Sequence, residues 1–249
     1  MARVLGVIPA RLESTRMPRK PLRLISGQPM IAWVYRRARQ AQSLNHLLVA
    51  TDSQEILNYC RKEGIAAQMT SSEHRSGTDR VVEIMGREAA DIYVNIQGDE
   101  PMVTPEHIDL MLRPFVEAPG TQVSTLKVQI SPEQATDPNN VKVVTDLAGH
   151  ALYFSRSVIP HDRDLSGRIR YFKHLGLYAY TAAALTRFHQ LPPSELEQLE
   201  RLEQLRYLEN GIPITVVETK HDTIGVDREE DLDRVEEVFR RTGVTFPAF

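Results

Sequence analysis

The first hundred residues alternate between short apolar segments and amphipathic ones, and this order constrains the fold more than any other feature. Strands are predicted at 4–8, 46–51, 65–69 and 91–97, and helices at 29–42, 52–64 and 78–89. The predicted strands are apolar throughout rather than at every second position, which is typical of parallel strands that are buried on both faces. The order therefore predicts an α/β fold with a mostly parallel central sheet.

The second half of the chain has longer strands and fewer helices. Strands are predicted at 122–130, 141–146, 151–156, 174–181 and 213–219, and helices at 182–190, 195–209 and 228–241. The segment "TDLAGHA" at 145–151 reads as a hairpin turn, so part of this half should be antiparallel. One packed helix face is predicted from a row of leucines, Leu196, Leu199, Leu202, Leu205 and Leu208. The absence of repeats and of a separating linker in the sequence predicts one domain over 1–249.

The composition excludes several classes of protein. Thirty Lys and Arg stand against 33 Asp and Glu, a balance that gives no reason to expect binding to nucleic acid or to an anionic membrane. The single cysteine, Cys60, excludes an internal disulfide, and its helical spacing from Ile56 and Leu57 predicts a buried core position. The start of the sequence does not resemble a signal peptide, and no apolar run approaches the ~20 residues that cross a bilayer. A cytoplasmic protein is therefore expected, without membrane insertion.

Basic charge is concentrated in the segment "PARLESTRMPRKP" at 9–21, directly after the first predicted strand. Four basic residues stand there against one acid, and three prolines argue against regular structure. Ligands of parallel sheets bind beyond the carboxyl ends of the strands, so this loop is a candidate site for an anion such as a triphosphate. A solvated basic loop is the alternative. Neither G-x-G-x-x-G nor G-x-x-x-x-G-K-[ST] occurs in the sequence.

Two acids are candidates for the divalent cation that a triphosphate requires. Asp99 lies in "QGDEP" after the fourth predicted strand, and Asp227 lies just before the last helix. Magnesium is held in such sites by one or two carboxylates together with water and phosphate oxygens. The alternatives are a turn residue beside Gly98 for Asp99 and a helix N-cap for Asp227.

The segment "HRSGTDR" at 74–80 is a glycine-containing turn that leads into a helix. Its backbone N–H groups could meet a nucleotide. The alternative is simple capping of the helix by Ser76 or Thr78.

Taken in order, these segments strongly resemble the 3-deoxy-manno-octulosonate (Kdo) cytidylyltransferases. The opening loop fits the pattern P-A-R-x-x-S-T-R-x-P-x-K-P-L, and the other matching blocks are "SGTDR", "VNIQGDEP", "NNVKVV", "ALYFSR", "HLGLYAY", "LEQLR" and "GVD". The resemblance implies a Rossmann-like nucleotidyltransferase that uses Mg²⁺ to transfer CMP from CTP to Kdo for lipopolysaccharide synthesis. It also implies a nucleotide-binding half at 1–120, a sugar-binding and dimerisation insert at 121–220, a metal-site segment with a helix at 221–249, and a homodimer.

The resemblance also assigns roles to individual residues. The catalytic residues implied are Lys20, Arg16, Asp99 and Asp227, of which Asp99 and Asp227 hold the metal. The nucleotide ligands implied are Pro9, Ala10, Arg11, Arg16, Lys20, Ser76, Gly77, Thr78, Arg80, Gln97 and Asp99. The sugar ligands implied are Gln97, Arg156, Arg163, His174, Tyr178, Glu203 and Gln204.

The sequence departs from the family pattern at two positions. Arg19 stands where glycine is common, and its side chain is expected to point to solvent; His161 stands where an aromatic residue is common. Judged from the sequence alone, His174 favours a structural hydrogen bond. Two other functions stay open at this point: activation of another acidic sugar (neuraminate or an 8-amino analogue of Kdo), and nucleotide binding in a regulatory protein without turnover. The presence of both Asp99 and Asp227 argues against lost catalysis.

Overall fold

The computed structural model describes residues 2–13, 17–74, 76–164 and 167–247. Within these ranges the chain forms two compact units. Unit 1 combines residues up to 109 with residues from 223 onward, and unit 2 contains residues 110–222. These boundaries lie near the predicted divisions at 120 and 220, and the assignment of the whole chain to one nucleotidyltransferase domain stays a prediction.

The elements follow one another in the predicted order, with several short additions. Up to residue 112 they are β1 (Val4–Ala10), a 3-10 helix (Lys20–Leu22), β2 (Leu24–Ile25), β3 (Gln28–Pro29), α1 (Met30–Ala38), β4 (His46–Thr51), α2 (Gln54–Lys62), β5 (Ala67–Met69), α3 (Gly77–Met85), β6 (Ile92–Asn95) and α4 (Pro105–Leu112). Then come α5 (Pro114–Glu117), β7 (Val123–Ile130), α6 (Pro132–Ala135), β8 (Lys142–Thr145), β9 (Ala151–Ser155), β10 (Tyr171–Thr181), α7 (Ala182–Gln190), α8 (Glu195–Glu200), α9 (Leu205–Glu209) and β11 (Ile214–Thr219). The last element is α10 (Glu229–Thr242).

The sheet of unit 1 is parallel and its strands lie in the order β5-β4-β1-β6. The chain thus builds outward from β1 on one side and then returns to the other side of β1. A reversal of this kind opens a crevice at the carboxyl ends of the two strands between which it occurs, here β1 and β6. The prediction of a mostly parallel α/β sheet is confirmed. The loops that follow β1 and β6 are therefore the expected location of a ligand site.

Unit 2 contains the antiparallel pairs that the sequence predicted. Strand β7 pairs in parallel with β11 and antiparallel with β10, and β8 pairs antiparallel with both β9 and β10. The turn between β8 and β9 is a hairpin in which the N–H of Asp146 donates to the carbonyl of His150 at 2.9 Å. Gly149 takes a positive φ of 85° in this turn, a conformation that glycine adopts without steric cost.

The prediction of one helix over 195–209 is wrong. Arg201, in the left-handed conformation at φ 56°, ends α8, and α9 begins at Leu205. The predicted leucine face is divided as a result: Leu199 is 72% exposed, whereas Leu202 is buried. The two short helices are joined by the side chain of Arg206, which donates to both carboxylate oxygens of Glu197 at 2.7 and 2.5 Å.

An aromatic core holds the C-terminal helix of unit 1 in place. The ring of Trp33 in α1 lies 4.5 Å from that of Phe239 in α10, measured between centroids. The indole N–H donates to the carbonyl of Ile25 at 2.8 Å. Met17 of the opening loop and Val226, just before α10, are buried in the same cluster. This core therefore joins the opening loop, α1 and the segment around residue 226.

Cys60 is buried in α2, as the sequence predicted. Burial raises the pKa of its thiol to about 12. The thiolate, which is the reactive form, is therefore scarce at neutral pH, and Cys60 serves as a small core residue. Among the described helices, none combines the length and the apolar character needed to cross a bilayer.

Arg19 adopts a left-handed backbone conformation, with φ 57° and ψ 30°. This geometry explains why glycine suits position 19, since a side chain is disfavoured there by its own Cβ. The N–H of Arg19 donates to the carbonyl of Leu12 at 3.2 Å, which closes the opening loop. The guanidinium of Arg19 is largely exposed, as expected, and forms an ion pair with Glu55.

Replacement of Arg19 by glycine and by alanine should separate backbone strain from the ion pair. Both variants lose the contact with Glu55, but only Arg19→Gly relieves the left-handed backbone. We expect Arg19→Gly to exceed Arg19→Ala by roughly 1 kcal/mol in free energy of unfolding. Urea denaturation followed by circular dichroism measures this difference, and equal midpoints for the two variants would show that the turn is not strained.

Candidate active site

The opening loop is more regular at its ends than its prolines suggested. Strand β1 continues through Pro9 to Ala10, and a 3-10 helix begins at Lys20. Pro9 is tolerated because the pairing of β1 with β6 stops at Val7. The backbone nitrogen of Pro9 faces that side, where no ladder hydrogen bond is required of it. The described loop residues between these two elements are Arg11, Leu12, Glu13, Met17, Pro18 and Arg19.

Gly98 brings the loop after β6 against the end of β1. A Cβ at this position would lie 2.6 Å from the carbonyl oxygen of Pro9, which is closer than a side-chain carbon can approach a backbone atom. Only glycine therefore fits here without a shift of the backbone. The close approach places the next residue, Asp99, beside the opening loop.

Lys20, Asp99 and Asp227 meet at this point of unit 1. The Nζ atom of Lys20 donates to Asp99 Oδ2 at 2.6 Å and to Asp227 Oδ1 at 3.0 Å. Burial by itself would lower the pKa of Lys20, but the charge and hydrogen bond of Asp99, followed by those of Asp227, outweigh it and raise the pKa. The ammonium therefore stays charged between two carboxylates that are 39% and 48% exposed.

Asp227 is not the N-cap of α10, so that alternative is wrong. The residue that precedes the helix is Arg228. The carboxylate of Asp231 accepts the backbone N–H groups of both Asp227 and Arg228 at 3.0 Å. The neighbouring Val226 donates its N–H to the carbonyl of Asp99 at 2.9 Å. These bonds fix the backbone around Asp227 so that its side chain points toward Lys20.

The chemistry of this pair of acids fits a magnesium ion. Two carboxylate oxygens converge on one cationic atom, and both side chains are partly open to solvent. Mg²⁺ binds to sites of this kind through one or two carboxylates, with water and phosphate oxygens completing the shell. Among the described residues, no group of three or more His, Cys, Asp or Glu side chains has an arrangement suited to a metal.

The start of α3 lies against the same end of β1. Ser76 is the N-cap: its Oγ accepts the N–H of Asp79 at 3.2 Å, and the Asp79 carboxylate accepts the N–H of Ser76 at 3.1 Å. Capping by Ser76 is thus confirmed and Thr78 is not the cap. A Cβ on Gly77 would lie 3.3 Å from the ring of Pro9, so α3 approaches β1 closely.

Arg80 is engaged with the protein itself. Its guanidinium donates to Thr70 Oγ1 at 2.7 Å, to the carbonyl of Ser71 at 2.9 Å and to Asp52 at 2.5 Å. Asp52 is therefore a partner of Arg80, and Ser53 is the N-cap of α2. Arg80 fixes α3 to the end of β4, and its contact with cytidine stays a prediction.

The remaining nucleotide candidates are distributed along unit 1. Pro9 and Ala10 end β1, Gln97 precedes Gly98, and Arg11 is exposed just beyond β1. Arg16 lies outside the described residues. The structure thus brings Pro9, Gly77, Lys20 and the acid pair to one end of the unit 1 sheet.

Unit 2 gathers several of the predicted sugar ligands around β10. His174 and Tyr178 are buried on this strand, with ring centroids 5.3 Å apart. Burial raises the pKa of Tyr178 well above its ordinary value, and the charge of Glu203 adds to this effect. Among the described residues, the hydroxyl of Tyr178 and the amide nitrogen of Gln204 are buried without a hydrogen-bond partner. Unpaired buried groups of this kind call for a polar partner such as a water molecule or a ligand.

Arg156 is held by a network of its own within unit 2. Its Nε donates to the carbonyl of Glu200 at 2.8 Å, and its backbone N–H donates to the Glu200 carboxylate at 2.9 Å. The buried ammonium of Lys142 donates to the carbonyls of Asp137 at 3.0 Å and Arg156 at 2.7 Å. Burial lowers the pKa of Lys142. Arg163 and His161 are exposed, and Gln97 belongs to unit 1.

Sequence reasoning did not identify three residues that support these side chains. Glu200 and Lys142 position Arg156, and Thr125 contacts His174. Lys142 carries the one signal that was visible, a lysine inside the apolar segment "VKVV". Nothing in the sequence links Glu200 to a residue that lies 44 positions earlier.

Comparison with known proteins identifies the family of the chain. The cytidylyltransferase family model matches residues 5–219. A 3-deoxy-manno-octulosonate cytidylyltransferase of Acidobacterium capsulatum is 58% identical over 94% of this chain and 96% of its own length. That of Koribacter versatilis is 55% identical over 96% of this chain and 90% of its own length. The chain belongs to the 3-deoxy-manno-octulosonate cytidylyltransferase family. It is therefore a nucleotidyltransferase.

Solved structures extend the comparison to the fold. CMP:2-keto-3-deoxy-manno-octonic acid synthetase in complex with CTP superposes with a TM-score of 0.93 at 43% identity, covering 97% of this chain and 100% of that one. A cytidylyltransferase from Leptospira borgpetersenii has a TM-score of 0.63 at 15% identity, covering 97% of this chain and 88% of its own, and shares the fold alone.

Substitution of Gly98 by alanine should disturb the acid pair through the backbone. The added methyl group has to displace the Pro9 carbonyl, which we expect to cost roughly 1–3 kcal/mol of stability, and to move Asp99 away from Lys20. Thermal unfolding and pyrophosphate release measure the two effects. Gly86→Ala is the matched control, because its Cβ would meet the nearest backbone atom at an ordinary 3.4 Å. A stable and fully active Gly98→Ala protein would contradict the assignment.

Proposed function

We propose that this chain transfers the CMP group of CTP to Kdo and releases pyrophosphate. The observation that carries the proposal is the convergence of Lys20 with Asp99 and Asp227 at the end of β1, in a member of this family. One cation and two carboxylates at the switch point of a parallel sheet suit a substrate with a charged phosphate chain and its bound metal. The names of the relatives support CTP as the donor and Kdo as the acceptor.

The reaction exchanges one bond to phosphorus for another. The anomeric hydroxyl oxygen of Kdo attacks the α-phosphorus of CTP in line, its proton is lost to solvent, and the bond to the β-phosphate oxygen breaks. Because little covalent chemistry falls to the protein, catalysis depends on position and charge. We assign Arg11, Arg16 and Lys20 to the triphosphate, where their cations stabilise the charge that gathers on departing pyrophosphate.

The cytidine is assigned to the start of α3 and the end of β1. Ser76, Gly77 and Thr78 form the amino-terminal turn of a helix, whose backbone N–H groups can donate to acceptor atoms of a nucleotide. Pro9 and Ala10 border that turn, and Gly77 permits the close approach. The guanidinium of Arg80 holds this turn in place through its hydrogen bonds to Thr70 and Asp52.

Magnesium is assigned to Asp99 and Asp227. When bound, it would reduce the repulsion between the phosphate chain and an anionic acceptor. The flexible side chain of Lys20 would also allow its ammonium to contact phosphate oxygens of bound CTP.

The acceptor is assigned to the polar atoms of unit 2. Arg156 supplies the cation for the Kdo carboxylate, with Arg163 as a second candidate. The unpartnered hydroxyl of Tyr178 and amide nitrogen of Gln204 suit sugar hydroxyls, together with Glu203. His174 is not a cation for the carboxylate, since burial and the nearby charge of Lys173 lower its pKa to about 3.

We also infer a homodimer that forms through unit 2, in the cytoplasm. Large apolar side chains are exposed on this unit: Leu152 on β9 is 62% exposed and Leu199 at the end of α8 is 72% exposed. Apolar side chains of this size in solvent are favourable places for contact with a second copy.

Asp227→Asn should remove most activity with little change in stability. The amide keeps the size of the side chain but loses the charge that metal binding requires, so we expect at least a 100-fold loss of kcat, on the order seen for loss of one strong transition-state contact. The ion pair with Lys20 is half exposed on the Asp227 side, so its loss should cost no more than about 1 kcal/mol. A continuous assay of pyrophosphate release measures the change in activity, and the melting temperature measures the change in stability.

Glu229→Gln is the matched control for this experiment. It removes an exposed acid two positions away that is paired with Arg23 at 2.6 Å, so it should keep both activity and stability. Wild-type activity in Asp227→Asn would overturn the metal-site assignment.

Side-by-side initial rates with CTP and three sugars test the choice of acceptor. A site built around particular hydroxyls leaves its own polar groups unpaired when an analogue binds, a penalty that can reach ~10⁴-fold. We expect Kdo to react fastest and neuraminate, with its N-acetyl group and ninth carbon, to be excluded. The 8-amino analogue of Kdo is the closer competitor. Equal rates with neuraminate and Kdo would contradict the assignment.

A further inference from the structure

The hydroxyl of Thr125 meets three polar atoms of β10. Thr125 is fully buried in β7, where the pairing of β7 with β10 shifts in register between Leu175 and Tyr178. Its Oγ1 lies 2.7 Å from the carbonyl oxygen of Leu177, 3.2 Å from that of Leu175 and 3.0 Å from Nε2 of His174. The hydroxyl of Thr125 thus contacts carbonyl oxygens of β10 in a stretch where the regular pairing of β7 with β10 is interrupted.

The positions of these atoms decide which of them carry protons. A threonine hydroxyl has one proton to donate. Two oxygen atoms at 2.7 Å require a proton between them, so the hydroxyl of Thr125 donates to the carbonyl of Leu177. Its oxygen can then only accept from His174, and therefore Nε2 of His174 carries the ring hydrogen.

The imidazole of His174 is neutral and fixed in orientation. Burial lowers its pKa to about 3, so the ring holds a single hydrogen at neutral pH. The ring of Phe154 lies edge-on at a centroid distance of 5.0 Å, and the ring of Tyr178 lies at 5.3 Å. With the hydrogen on Nε2, the other nitrogen, Nδ1, is left as a hydrogen-bond acceptor.

We propose that Thr125 is a positioning residue that locks His174 in the Nε2–H tautomer, so that Nδ1 accepts a hydrogen bond from a hydroxyl group of the sugar substrate. This inference rests on the proposed function for the identity of the sugar, but the tautomer itself does not. The ring of Tyr178 lies beside the imidazole, and its hydroxyl, which has no partner among the described residues, supplies a second polar group. Without the lock, the two tautomers would compete and the acceptor would be lost in part of the molecules.

The tautomer can be read directly by nuclear magnetic resonance. In protein labelled with ¹⁵N-histidine, the two ring nitrogens of His174 should show a protonated Nε2 and an unprotonated Nδ1 in the absence of any substrate. A spectrum of His174→Gln assigns the signals. A wild-type ring protonated at Nδ1 would overturn the proposal, whatever the enzyme does with Kdo.

Variants at position 125 then test whether the tautomer of His174 affects the binding of the sugar. Thr125→Val keeps the shape but removes the hydroxyl, and should raise KM for Kdo by about tenfold, the scale for one buried hydrogen bond, while KM for CTP stays within about twofold. Thr125→Ser should restore both the tautomer and KM. Ser124→Ala is the matched control, since it removes a neighbouring buried hydroxyl of β7 that has no partner among the described residues.

The outcomes are distinguishable from one another. If Thr125→Val lowers the melting temperature but leaves KM for Kdo and the ring signals unchanged, Thr125 is only structural and the proposal fails. If Thr125→Val does not fold, the wild-type spectrum and Thr125→Ser still test it, because a serine variant with a mixed tautomer and unchanged KM would contradict the lock. If the wild-type enzyme does not use Kdo, the proposed function fails while the ring signals still decide the tautomer.

Discussion

The ammonium of Lys20 is the interaction on which the proposed site depends. Without it, the two partly exposed carboxylates of Asp99 and Asp227 would repel each other with no cation between them. The three residues come from the opening loop, the loop after β6 and the segment before α10. A single cation thus joins the side chains of three stretches of chain, which the hydrogen bond from Val226 to Asp99 and the core around Trp33 also hold together.

Local patterns were enough to predict much of unit 1. The apolar segment at 46–51 is a strand with the same limits, and Ser76, one of the two predicted candidates, caps α3. The signal is strong there because burial on both faces demands a continuous apolar run and because caps obey local hydrogen bonding. The elements that were not predicted are short: α4 and the β2–β3 pair contain too few residues to show a period. The helix predicted at 195–209 failed because leucine spacing continues across Arg201, where the backbone turns.

The site was predictable in residue type but not in arrangement. Asp99 and Asp227 meet because α10 packs on α1 through Trp33 and Phe239, a contact between apolar residues that spacing does not reveal. The left-handed turn at Arg19 could be suspected only from the glycine that is common there. In unit 2, the resemblance pointed to His174 and Tyr178, whereas the residues that hold them and Arg156, such as Thr125 and Glu200, are distant in sequence. Long-range pairs of this kind are set by strand register and loop closure, which a single sequence does not encode in its local pattern.

The sequence contains one tryptophan, and the fold places it where the C-terminal helix meets the opening loop. Trp33 is 1% exposed, donates to the carbonyl of Ile25 and stacks on Phe239. The tryptophan fluorescence of this protein therefore originates from the same contact that keeps Asp227 within reach of Lys20. Undocking of α10 would carry the indole from an apolar surrounding into water and shift its emission to longer wavelength. The molecule thus contains its own optical reporter for the assembly of the proposed metal-binding pair.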